Sequence, residues 1–122
     1  MPVTTITYKE KKIVFIHFEG CNKKEDMLNV VKETTDYLLA FPDKDIRVLF
    51  DFSLAFGSKE YMKLAQEGRE RVYKVKNLKS ACFGLNAAKK VLLHVYNAIT
   101  NTRGLAPFSS REEALEYLIS PN

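Results

Sequence analysis

The sequence predicts an α/β domain built on a single mixed β-sheet, with an N-terminal hairpin, the remaining strands mostly parallel, and about four covering helices. Three observations carry that expectation. The stretch from Ile46 to Glu60, IRVLFDFSLAFGSKE, reads as a strand covered on both faces that runs into a loop and opens a helix. In it Ile46, Val48, Phe50 and Phe52 alternate with Leu49 and Asp51, and Arg47 alone resists burial. Segments of strand character and segments of helical periodicity then alternate to the end of the chain. Finally, no linker, repeat or low-complexity tract divides residues 1–122, a length that a single domain can serve with one core burying roughly two thirds of the unfolded surface.

In chain order, VTTITY at 3–8 is rich in β-branched residues and places Thr4, Ile6 and Tyr8 on one face of a strand. Lys9 to Lys12 form a polar turn. IVFIHF at 13–18 is a nearly continuous apolar run, so the pair reads as a hairpin whose second strand is central and whose first lies at or near an edge. His17, inside that run, reads as a half-buried, hydrogen-bonded strand residue. Asn22 and Glu25 have a capping-box-like spacing. Met27, Val30, Val31, Thr34, Leu38 and Phe41 then form one apolar stripe from 23 to 41, closed by Pro42. A strand, helix and strand of this length form a right-handed parallel crossover by default.

Gly57 permits a tight bend, and Ser58 caps the helix that follows, which runs to Lys76. Its buried stripe is Tyr61, Met62, Ala65, Gly68, Val72 and Val75. Gly68 costs about 1 kcal/mol of helix propensity relative to Ala and is expected to let the helix backbone pack closely on the sheet. KSACFGL at 79–85 supplies another strand, with Ala81, Phe83 and Leu85 on one side. Asn86 caps a third helix with the stripe Ala88, Val91, Leu92, Val95 and Ile99, ended by Gly104 as a left-handed cap. His94, beside that stripe, reads as structural. In LAPFSSREEALEYLIS, Pro107 marks a short edge strand, Ser110 and Glu113 have capping-box spacing, and Ala114, Leu115, Leu118 and Ile119 form the apolar face of a last helix.

Composition excludes some roles. Nineteen Lys and Arg against fifteen Asp and Glu leave a formal charge of +4, dispersed and without aromatic–basic interleaving, so no nucleic-acid partner is expected. Hydrophobic residues make up 46% and charged residues 28%, ordinary for a globular domain, and no apolar run approaches the roughly 18 residues of a membrane span. MPVTTITYKEKK lacks the apolar segment of a secretory signal, so a cytoplasmic setting is expected. Cys21 and Cys82 are then expected as reduced thiols.

The parallel strands should deliver the helix starts at Asn22, Ser58, Asn86 and Ser110 to one edge of the sheet, where open α/β sheets bind ligands. Lys23, Lys24, Lys59, Lys89, Lys90 and Arg111 in first turns are matched by Glu25, Asp26, Glu60, Glu112 and Glu113, which makes balanced surface charge rather than an anion funnel. Asp51 is expected to cap its loop by accepting backbone N–H groups. No nucleophile with a paired base, no metal-ligand spacing and no Gly-rich phosphate loop is present, so no catalytic residue, metal or cofactor is expected. The candidate ligand or partner surface is Asp51, Ser53, Phe56, Gly57, Ser58, Lys59 and Asn86.

Together YKEKKIVFIHFEG, VLFDFS, GLNAAKKVLLHVYNAIT and PFSSREEALEYL resemble the SpoIIAA-like family, small domains related to STAS modules and discussed with the Sec14-like lipid-transfer fold. The resemblance spans nearly the whole chain and implies a cytoplasmic, non-enzymatic domain. In anti-sigma-factor antagonists of this kind, an Asp-Ser-Ser-Gly turn holds a serine, at a helix start, that a partner kinase phosphorylates. Phe56, Gly57, Ser58 and Lys59 occupy that place here. Ser58 matches the serine as a candidate phosphorylation site, but the preceding aspartate and following glycine are missing.

Two functions are expected to compete. One is a regulatory or protein-interaction module that presents the loop from Ser53 to Ser58 and the following helix to a protein partner, with the oligomeric state open and a homodimer included. The alternative is a binding module for a small apolar or amphipathic ligand, a Sec14-like lipid among them, for which some of the eight Phe and six Tyr would line a cavity. An enclosed pocket favours the second, and an exposed apolar patch at the Phe52 to Phe56 loop favours the first.

Overall fold

Strands and helices alternate in the computed structural model, which describes residues 1–100 and 103–121. The order is β1 Val3–Tyr8, β2 Lys11–His17, α1 Lys24–Ala40, β3 Asp45–Asp51, α2 Lys59–Tyr73, β4 Asn77–Phe83, α3 Ala87–Ile99, β5 Leu105–Pro107 and α4 Arg111–Ile119. The five strands lie in the sheet in sequence order. Only β1 is antiparallel to its neighbour; β2 to β5 run parallel, with Val14 beside Val48 and Phe50 beside Cys82. The mixed sheet and its edge hairpin are therefore as expected. The turn is shorter than expected, because Lys11 and Lys12 already pair within the ladder. Its two residues, Lys9 and Glu10, carry φ of 46° and 71°, the mirror-image turn whose twist suits a two-residue hairpin.

Crossovers that step from each parallel strand to the next neighbour leave their helices on one face. That face holds the larger core. Val14, Ile16, Phe18, Val48, Phe52 and Cys82 pack there with Met27, Val30 and Leu38 of α1, Val72 of α2 and Leu93 of α3. After β5 no strand follows, and α4 folds onto the opposite face, where Ala114, Leu115 and Leu118 cover Ile13, Leu49 and Ala81. Arg47 and Lys79 end beneath it. Arg47 Nε donates to Leu118 O at 3.0 Å and Lys79 Nζ to Ser120 O at 2.7 Å, so two cations meet the negative end of the helix.

Several local expectations are corrected. The cap of α1 is Lys23 rather than Asn22, and the carboxylate that serves it is Asp26 rather than Glu25, accepting from Asn22 N at 2.9 Å and Lys23 N at 3.0 Å. Gly68 faces α1 and not the sheet: a Cβ there would fall under 3.0 Å from Thr35 Oγ1. α2 stops at Tyr73, which leaves Val75 56% exposed. β4 begins at Asn77 and ends before Leu85, which turns to the larger core while Ala81 and Phe83 face α4. Gly104 is left-handed, with φ 78°, but lies ahead of β5 rather than at the end of α3, which closes on Thr100.

Candidate functional site

The parallel run of β2 to β5 brings the first turns of the helices to one rim. Lys24 of α1 pairs with Glu60 of α2 at 3.4 Å. Between β3 and α2, Asp51 Oδ1 accepts from Ser53 N at 2.9 Å and from Ser53 Oγ at 2.6 Å, the loop-capping role expected of it. Gly84, with φ 82°, presses on that turn: a Cβ there would lie 2.5 Å from Ser53 Oγ and 3.1 Å from Asp51 Oδ1. Lys89 in the first turn of α3 donates to Phe52 O at 2.8 Å and Ser53 O at 3.1 Å, while Asn86 Oδ1 accepts from Lys89 N at 2.8 Å. Asp51, Ser53 and Asn86 thus belong to one bonded cluster.

Ser58 caps α2 by accepting from Tyr61 N at 3.0 Å, and Lys59 beside it is exposed. Gly57 is not left-handed; its smallness clears Leu92 of α3, whose Cδ1 would lie 2.6 Å from a Cβ. Phe56, 37% exposed, and Leu54, 60% exposed, sit on the same loop. His17 is half-buried, with Nε2 2.9 Å from Met1 O and Nδ1 accepting from Glu19 N at 3.2 Å. With Asp51 and Arg111 it lines a polar hollow of about 240 Å³ on the α4 side.

The largest departure concerns α3. Its predicted stripe faces outward: Val91, Leu92, Val95 and Ile99 are 64%, 39%, 44% and 47% exposed, Ala88 is exposed, and so is His94. Leu93 and Tyr96 are buried instead. Polar bonds explain the rotation. Lys89 reaches the β3 loop, Tyr96 OH accepts from Arg69 Nε at 3.1 Å, and Asn97 exchanges two bonds with Leu105, at 2.9 and 3.0 Å. Each inward polar group would cost roughly 1–3 kcal/mol if left unpaired, and four of these bonds set against partial burial of a Val–Leu–Val–Ile stripe decide which arc faces in. Leu92 and Phe56 meet at the mouth of the space beneath the helix, so the exposed stripe continues onto Phe56, whereas Leu54 lies over the hollow lined by His17, Asp51 and Arg111.

Beneath α3, between it, α2 and the sheet, an apolar cleft of about 110 Å³ opens to solvent. Phe18, Phe52, Tyr61, Leu93, Tyr96 and Arg69 are among its walls. Arg69 is 8% exposed and donates through Nη1 to Ser80 Oγ at 3.0 Å as well as to Tyr96. Burial pushes the Tyr61 and Tyr96 phenols up and the Cys82 thiol to about 12, so all three are neutral at ordinary pH. Burial also raises the Cys21 thiol, helped by the nearby Asp26 carboxylate, which reverses the lowering a helix start would produce. Both cysteines are unpaired. Among the described residues no three His, Cys, Asp or Glu gather in a way that could hold a metal, and no helix is long and apolar enough to cross a membrane.

Sequence reasoning missed Arg69, Ser80, Tyr96 and Gly84. Arg69 had a visible signal: it falls on the inward arc with Ala65, Gly68 and Val72, where a charge needs a partner.

Among solved structures, RsbS of Moorella thermoacetica, in its S58E form by that protein's own numbering, matches with a TM-score of 0.60 at 15% identity, over 97% of this chain and 95% of its own. RsbS is a STAS-domain anti-sigma factor antagonist. This chain has a SpoIIAA/STAS-like fold. No protein-family model matches the sequence, and no curated protein does. The sheet of the STAS-like fold, with its hairpin edge and parallel remainder, is what delivers the loop from Ser53 to Ser58 and the starts of α2 and α3 to the same rim.

Proposed function

We propose that this STAS-like chain is a non-enzymatic, cytoplasmic regulatory module that meets a protein partner through the rim loop and α3. The observation that carries this reading is the apolar patch formed by Phe56 with Val91, Leu92, Val95 and Ile99, since apolar groups gathered on a surface mark interaction sites. Asp51, Ser53, Gly57, Ser58, Lys59 and Asn86 shape the loop beside it. Phosphorylation of Ser58 would set a dianion at the start of α2, where the helix dipole favours it and where Lys59 stands ready. The test compares quantitative pull-downs from the native host using wild type, Val95→Asp on the exposed stripe, Ser53→Asp and Ser58→Asp. A partner lost from a variant must then bind purified wild-type protein directly and the variant at least tenfold more weakly. Identical recoveries from all four would sink the reading.

A second reading, a site for a small amphipathic ligand, is favoured by the cleft and by the polar groups on its wall. Native mass spectrometry of protein purified from its own host, before and after organic extraction, tests it; a single mass unchanged by extraction counts against it.

A further inference from the structure

Arg69 is a buried cation whose partners are all neutral. Tyr96 OH and Ser80 Oγ take two of its N–H groups, and among the described residues no carboxylate lies within 4.0 Å of it, the ion pairs Lys9–Glu116 and Lys24–Glu60 lying elsewhere. A guanidinium stays charged at every accessible pH, and burying a charge without a counter-charge costs several kcal/mol. The neighbouring Tyr61, Tyr96 and Cys82 are held neutral by burial, so none of them serves as a hidden anion. Nη2 of Arg69 and the Tyr61 hydroxyl form no hydrogen bond among the described residues, yet no sealed side-chain N or O goes unpaired. Neither atom is therefore sealed from solvent, and Arg69 and Tyr61 are both walls of the cleft.

We infer that the cleft takes a small molecule with an apolar body and one carboxylate, the carboxylate pairing with Arg69 Nη2 and accepting from the Tyr61 hydroxyl. This rests on the second reading above and names its ligand class. The body fits the space: 110 Å³ is somewhat less than the roughly 150 Å³ apolar cavity that holds benzene, and the open side admits a few further carbons. One cation and one hydroxyl match a monoanion. A phosphate would want a second cation, and Lys89 at the mouth is already spent on Phe52 O and Ser53 O.

The test titrates the whole chain with hexanoate, 1-hexanol and hexylammonium, which share one apolar chain and differ in charge, following backbone amide NMR shifts and calorimetric heat. Hexanoate is expected to bind at least about tenfold tighter than hexanol, as one charge-assisted hydrogen-bonded pair supplies. Hexylammonium should be weakest, and the shifts should centre on Arg69, Leu93 and Tyr96. Arg69→Gln should erase the preference for hexanoate over hexanol; Arg69→Lys should keep part of it. Equal binding of hexanoate and hexanol by wild type overturns the carboxylate assignment while the cleft reading stands. No binding of any of the three, or shifts centred elsewhere, overturns both. The wild-type comparison decides even if Arg69→Gln fails to fold.

Discussion

Replacing Gly68 with Ala sets helix propensity against packing. Propensity alone favours Ala by about 1 kcal/mol. The added methyl, however, would lie under 3.0 Å from Thr35 Oγ1, 3.5 Å from Thr35 Cβ and 3.7 Å from Thr35 Cγ2. Thr35 has little freedom to yield, because it is buried and its Oγ1 donates to Val31 O at 3.0 Å. Relief must come from parting α1 and α2 or from breaking that bond, and overpacking of this kind costs about 1–3 kcal/mol. With the upper part of that range offset by the propensity gain, Gly68→Ala should destabilise by about 1–2 kcal/mol, or a fall in Tm of roughly 4–8 °C. The chain contains no Trp, so urea unfolding is best followed by far-UV circular dichroism. Thr35→Ala should be destabilising alone yet restore stability in the Gly68→Ala background, a coupling that a double-mutant cycle reads directly. If Gly68→Ala instead stabilised by the full propensity difference, or if the two changes simply added, the close α1–α2 contact would be refuted.

Other outcomes follow from single features. Glu10, left-handed at φ 71°, pays for its Cβ in the hairpin turn, so Glu10→Gly should raise stability by about 0.5–1 kcal/mol in the same assay, and a loss would contradict the turn. On α3, Leu93→Ala should cost about 2–4 kcal/mol, whereas Val91→Ser, at a position 64% exposed, should stay within about 0.5 kcal/mol; equal costs would mean that the helix docks on its apolar stripe. The Cys82 thiol, raised to about 12 by burial, should resist iodoacetamide in the folded protein at mildly alkaline pH and react once urea is added. Asp26 is held below its ordinary value of 3.8 by the backbone N–H groups of Asn22 and Lys23. Its contribution is therefore present above that value and lost as pH falls through the lower folded one; Asp26→Asn should flatten this acid limb of the stability curve, and an unchanged limb would deny the cap.

Much of the architecture was legible because its determinants act over short distances. Alternation and 3.6-residue periodicity marked every strand and helix in the observed order. Ser58, Asn86 and Ser110 cap where their spacing placed them, each accepting from the N–H three residues on. The Asp51 turn is likewise a local bond between neighbours. The rim and its loop followed from parallel strand order alone.

What the tertiary structure decided are the contacts between residues far apart in the chain. Periodicity reports that α3 has an apolar arc but not that Lys89, Tyr96 and Asn97 find partners on β3, α2 and β5 and so turn that arc to solvent. It does not tell that Gly68 meets α1, or that Arg47 and Lys79 end on the carbonyls of α4. Nor does it show that Arg69 lies in an apolar cleft without a counter-charge. Local pattern sets which elements form; the pairing of buried polar groups, each costly if left alone, sets how they face one another.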